Sequence, residues 1–175
     1  MDLRETVQGD LRGLEKLMLK LPGFKGYKQK ELRREADKLL RMEVAAKLDE
    51  QRKRVADLQM QLITGGQIEW LDDLERAVMK MQRLIDRMRT ASYGYGGLFD
   101  AVKVKEEELD ALYDFDNRMF DSVAEIATEV DKVTSAISSQ EGVGVAIAAL
   151  ILEAEQANLT FGHRNEAILQ LQSPG

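Results

Sequence analysis

Between Leu109 and Ile137 the apolar residues fall at Leu109, Leu112, Met119, Val123, Ile126, Val130, Val133 and Ile137. Steps of three and four alternate, which predicts a long helix whose single apolar seam packs on other helices at a shallow angle. One slot on that seam is occupied by Asp116. A carboxylate among packed helices is unfavourable unless it is paired or hydrogen-bonded, so the stretch predicts a bundle helix with a polar position inside it.

The rest of the chain repeats the pattern. Leu3, Val7, Leu11, Leu14, Met18 and Leu21 form a stripe on a short amphipathic helix within residues 1–21, stopped by Pro22-Gly23. Leu32, Ala36, Leu39, Leu40, Val44, Leu48, Val55, Leu58 and Leu62 mark one face of a helix over 28–64. The stripe has a gap at Gln51. Gly65-Gly66 then reverses the chain, and so short a connection brings the next helix back antiparallel. Leu71, Leu74, Val78, Met81, Ile85 and Met88 form an unbroken heptad over 67–90, which Ile68, Ala77 and Leu84 widen to the face a multi-helix core requires. Trp70 is expected to cover the bundle end. The glycine-rich segment Ser92-Tyr-Gly-Tyr-Gly-Gly97 separates this helix from the one over 103–137. A last helix over 143–169 carries Ile147, Leu150, Ile151, Ala154, Ala157, Phe161, Ile168 and Leu169 on its inner side. Its first half, Val145 to Leu152, is apolar nearly all round and is expected to lie either at the centre of the bundle or in an oligomer contact.

The predicted fold is all-α: an antiparallel up-down-up-down four-helix bundle plus the short N-terminal helix, in one domain spanning 1–175. Both prolines, Pro22 and Pro174, fall outside every predicted helix interior, and charged residues make up 32% of the chain, a composition suited to long helices. The charged start of the chain lacks the apolar core of a signal peptide. The longest strongly apolar run, Val143 to Leu152, is about half of the roughly 20 residues a membrane span needs. A soluble, cytoplasmic protein is expected.

Charge is segregated. Residues 1–66 carry a net +4 and residues 67–175 a net −10. Lys25, Lys28, Lys30, Arg33, Arg34, Lys38 and Arg41 concentrate the basic charge and are a candidate interaction surface.

Catalytic chemistry finds no foothold. The chain has no Cys, which removes thiol nucleophiles and disulfides, and its single His, His163, stands in no triad context. A di-metal bundle site needs Glu-x-x-His motifs, but Thr160 precedes His163 by three. Asp114, Asp116 and Glu125 fall at calcium-loop spacing, yet Arg118 and Met119 stand where a ligand and a glycine are needed. No cofactor or metal is expected. Asp116, Asn158 and Asn165 are candidates for a buried polar layer, which in bundles most often sets register and partner choice.

Three functions are consistent with these features. The first is a non-enzymatic scaffold or protein-protein interaction module, self-associating as a homo-oligomer. The second is a peripheral binder of anionic membrane or another polyanion through the basic N-terminal third, nucleic acid not being expected. The third is a small-molecule or metal-binding bundle centred on Asp116, with Tyr93 and Tyr95 as a lid.

Overall fold

In the structure, a computed structural model, the backbone of residues 29–91 and 106–172 is described, with the side chains of residues 38, 40–91, 118–164 and 166. The chain divides into two units, Met1–Leu39 and Leu40–Gly175. Of the first, the described part is helical backbone from Gln29 onward. The predicted helix over 1–21, Lys25, Lys28 and the Ser92–Gly97 loop lie outside the described residues.

The described residues are all-α. Four long helices are α1 (Gln29–Gly65), α2 (Leu71–Thr90), α3 (Glu106–Ser139) and α4 (Val143–Gln172). A 3₁₀ turn, Ile68–Trp70, leads into α2. The expected ends lie within about three residues of these, except that the second helix, expected from 67, begins at Leu71 because the 3₁₀ turn occupies Ile68–Trp70.

The seams are buried as their spacing requires. Val44, Leu48, Val55, Leu58 and Leu62 of α1 meet Leu74, Met81, Leu84, Ile85 and Met88 of α2 in one core. Met119, Val123, Ile126, Val130, Val133 and Ile137 of α3 join them, with Val143, Ile147, Leu150, Ala154, Ala157 and Phe161 of α4. The backbone of α4 approaches α3 and α2 most closely. Ala154 and Ala157 on its inner stripe allow this, because interhelical distance follows side-chain size at the contact. Leu109, Leu112 and Asp116 belong to the described α3 backbone, but their side chains lie outside the described set.

Both tight connections end their first helix with the same motif. After α1, Gln67 N–H donates to Leu62 O and Gly66 N–H to Ile63 O, at 2.9 and 3.3 Å. After α3, Glu141 N–H donates to Ala136 O and Gln140 N–H to Ile137 O, at 3.2 and 3.3 Å. This double pairing satisfies carbonyls left over at a helix end and requires a left-handed residue between them. Gly66 takes that conformation freely at φ 74°, while at the second turn it falls to Gln140, φ 59°, followed by Gly142, φ 67°.

Trp70 packs on α4 with the outer edge of its indole ring at Gly144. A Cβ added to Gly144 would sit 2.6 and 2.7 Å from two carbons of the indole ring. Gly144→Ala is therefore expected to destabilise the fold by about 1–3 kcal/mol through overpacking. The chain's one tryptophan reports on this directly: thermal unfolding should shift down and indole emission to the red, with helical circular dichroism retained at low temperature.

Candidate functional site

Two features on α4 have no role in closing the core: a polar seam toward α2 and an apolar outer stripe. The seam is built on Asn158, the residue of α4 four after Ala154. Its side-chain N–H₂ donates to Ala154 O and, across the interface, to Lys80 O of α2, both at 2.9 Å. Arg87 of α2 answers by donating to Asn158 O at 2.8 Å and to Asn158 Oδ1 at 3.2 Å. The Arg87 guanidinium also lies 5.2 Å from the centre of the Phe161 ring, within cation–π range. Burial and the neighbouring Arg83 both lower the Arg87 pKa. Lys80 and Glu155 pair at 3.1 Å along the same seam. Lys80, Arg83, Arg87, Asn158, Leu159 and His163 line a shallow groove of about 260 Å³ here.

On the other side of α4, Glu153 faces α3. Desolvation, a hydrogen bond that protonated Glu153 donates to the Glu125 carboxylate, and charge repulsion from Glu125 and Glu129 hold its pKa above the ordinary carboxylate value. Glu129 is bonded to Lys132 at 2.7 Å through one oxygen. Its other oxygen is buried without a hydrogen-bond partner.

Between these two flanks runs the outer stripe. Val145, Leu152 and Leu159 are 79%, 59% and 51% exposed. They follow one another at seven-residue intervals, and seven residues return a helix to within about 20° of the same direction. Ala148, Ala149, Glu155 and Gln156 fill the positions between them. The first half of α4 is thus not central in the helical unit. One side is buried through Ile147 and Leu150, and the opposite side, equally apolar, faces out. The segment Val143–Arg164 is long and apolar enough, by length and composition, to cross a membrane.

The predicted site residues are dispersed. Asn158 does stand in a polar layer, but its described partners belong to α2 and to its own helix. Asp116 and Asn165 have side chains outside the described residues. Of the basic set, Lys38 is exposed. Arg41 is no part of a surface: it is 6% exposed, with its guanidinium donating to Met88 O at 2.7 Å. A long side chain can bury its methylene stem while a main-chain carbonyl takes the place of water. Lys25, Lys28, Lys30, Arg33 and Arg34 have no described side chains. His163 is exposed. Among the described residues no group of three His, Asp or Glu side chains is arranged to hold a metal ion.

Sequence reasoning overlooked Arg87, whose sole signal was its place beside Met88 at the edge of the α2 heptad. It also overlooked Ser122 and Arg164, both buried. The chain matches no protein-family model, no curated protein and no solved structure.

Asn158→Ala removes the side-chain bonds to Lys80 O and Ala154 O and leaves Arg87 with the main-chain oxygen of residue 158 but without the Oδ1 acceptor. A loss of about 1–3 kcal/mol is expected in denaturant unfolding. Glu153 acts in the opposite sense. Its folded pKa is raised, so the contribution of this group is complete below the unfolded value near 4.5 and is lost as pH rises through the folded value. Above that folded value both carboxylates are charged and their repulsion stands in full. Glu153→Gln should therefore raise the melting temperature at pH 7, by an amount that shrinks toward zero as pH is lowered to about 4.5.

Proposed function

We propose that this chain is a non-enzymatic helical-bundle interaction module that self-associates through the outer stripe of α4. The observation that carries the reading is the exposure of Val145, Leu152 and Leu159 on one line of one helix. Burial of an aliphatic side chain of this kind is worth roughly 1.5–3 kcal/mol. A line of them at heptad spacing is what one helix offers to another. Other large apolar residues are exposed, Met60, Ile63 and Met79 among them, but among the described residues no second helix presents three at this interval. The paired short turns and the ion pair between Arg54 of α1 and Asp131 of α3 support an up-down-up-down order for the four helices. We place the homo-oligomer in the cytoplasm. The alternatives of polyanion binding by the basic N-terminal third and of a ligand site at Asp116 rest on side chains outside the described residues.

Absolute mass by light scattering across a dilution series tests the reading. The wild-type chain is expected to elute as a multiple of 19.8 kDa and to keep that mass at high salt, since the contact is mainly apolar. Leu152→Glu places a charge on the middle of the stripe and should yield a monomer with unchanged helical content. A wild-type chain that is monomeric at every concentration overturns the proposal.

A further inference from the structure

Arg52, Arg54, Arg76, Lys80 and Lys132 each stand in an ion pair with a carboxylate. Arg83 and Arg87, one turn apart on α2, do not: among the described residues no carboxylate lies within ion-pair distance of either. The acids around them are engaged elsewhere or set apart. Glu155 holds Lys80 at 3.1 Å. Asp86 and Glu75 line the neighbouring groove on α2 and accept from Gln82 at 2.8 Å and from Gln59 at 2.9 Å. Glu166 enters the groove between α2 and α4 without an ion pair. Setting aside the matched Lys80 and Glu155, that groove holds Arg83 and Arg87 against Glu166, with His163 beside them.

Arg87 is held in place before any ligand arrives. Its Nη1 donates to Asn158 O and Oδ1, and its guanidinium stands over the Phe161 ring. Its Nη2 lies beside Gly162, where an added Cβ would be 3.5 Å away. Nε and Nη2 donate to none of the described residues, and neither does any nitrogen of the exposed Arg83 guanidinium. Side chains four apart on a helix start about 5–6 Å from one another, so one small group can reach both forks. Planar guanidinium groups match phosphate oxygens in pairs. A phosphate monoester carries about −1.5 to −2 charge and three acceptor oxygens, which suits two guanidinium charges better than the single charge of a carboxylate. The groove, at about 260 Å³, is smaller than the roughly 300–1,000 Å³ that drug-sized ligands occupy. It has room for one such group and a short body resting on Leu159.

We infer that the groove between α2 and α4 binds the phosphate group of a small anionic ligand, with Arg87 as the fixed donor and Arg83 as the second. Asn158 is a positioning residue, since it holds Arg87 and leaves Nε and Nη2 to the ligand. Glu166 opposes the anion from the far wall and limits its affinity. Burial and the charge of Arg83 lower the Arg87 pKa, and a bound dianion offsets the repulsion between the two arginines. The site is separate from the self-association proposed above: it flanks the outer stripe and shares only Leu159 with it.

Phenyl phosphate is the probe, titrated into the isotope-labelled full chain at constant ionic strength while backbone amide resonances are followed by NMR. The amides of Arg83, Arg87, Gly162 and His163 are expected to shift together and to saturate. Benzoate, which keeps the ring but carries a single charge, should bind more weakly at the same amides. Arg83→Gln, made at an exposed side chain, should weaken phenyl phosphate about tenfold or more, the loss of a hydrogen bond to a charged group. Glu166→Gln should tighten it about two- to fivefold by removing a like charge. Arg76→Gln, on the same helix but paired with Asp73 outside the groove, should leave it unchanged. Shifts that fail to saturate, or that chloride at equal ionic strength reproduces, overturn the site. So does an Arg83→Gln chain that binds as tightly as wild type with its helical circular dichroism intact. Benzoate binding as tight as phenyl phosphate overturns the assignment to phosphate.

Discussion

Ala154 and Ala157 bring little apolar area of their own, so the inner stripe of α4 stays dry because α2 and α3 close on it from two sides. Ile147 and Leu150 fill the space at one end and Phe161 at the other, all at most 1% exposed. The remaining packing follows from this. The tight turn after α3 is needed to bring α4 back against it, and the chain accepts a left-handed Gln140 to make that turn. The bare backbone at Gly144 is needed so that Trp70 can reach α4. Close packing of this kind tolerates neither a gap nor an added methyl group without a measurable energetic consequence.

Two arginines, buried Arg41 and half-buried Arg87, donate to main-chain oxygen across helix interfaces. Arg41 donates to Met88 O and Arg87 to Asn158 O. Each bond satisfies a carbonyl acceptor that would otherwise be lost at the interface. In the Arg87 case the Phe161 ring and the Asn158 side chain complete the environment. These contacts fix the relative height of α2 and α4 through directional bonds, which an aliphatic seam alone sets only loosely.

Charge outside the core follows the helices that carry it. The acidic excess of the later part of the chain is visible as Glu125 and Glu153 between α3 and α4, where burial and proximity raise the Glu153 pKa. The basic residues of α2 line the opposite border of α4.

Periodicity alone was enough to determine the helical class, the boundaries of the four long helices to within a few residues, and the buried faces of α2 and of the described parts of α1 and α3. A three-four spacing has one face by geometry, and that face is buried wherever a second helix is available. What the spacing left open is where a helix has two apolar faces or where a charged residue borders a seam. Val145 to Leu152 is apolar around the whole circumference, and nothing in the linear pattern says which side meets α2 and α3. Tertiary packing decided it, turning Ile147 and Leu150 inward and leaving Val145 and Leu152 outside. Arg41 reads as one cation in a basic run, yet its neighbours are set by the depth of the α1–α2 contact, and there it is covered. Asn158 and Arg87 lie 71 positions apart on helices that the sequence does not join. Their partnership depends on which helix stands next to which, a relation that exists only once the chain has folded.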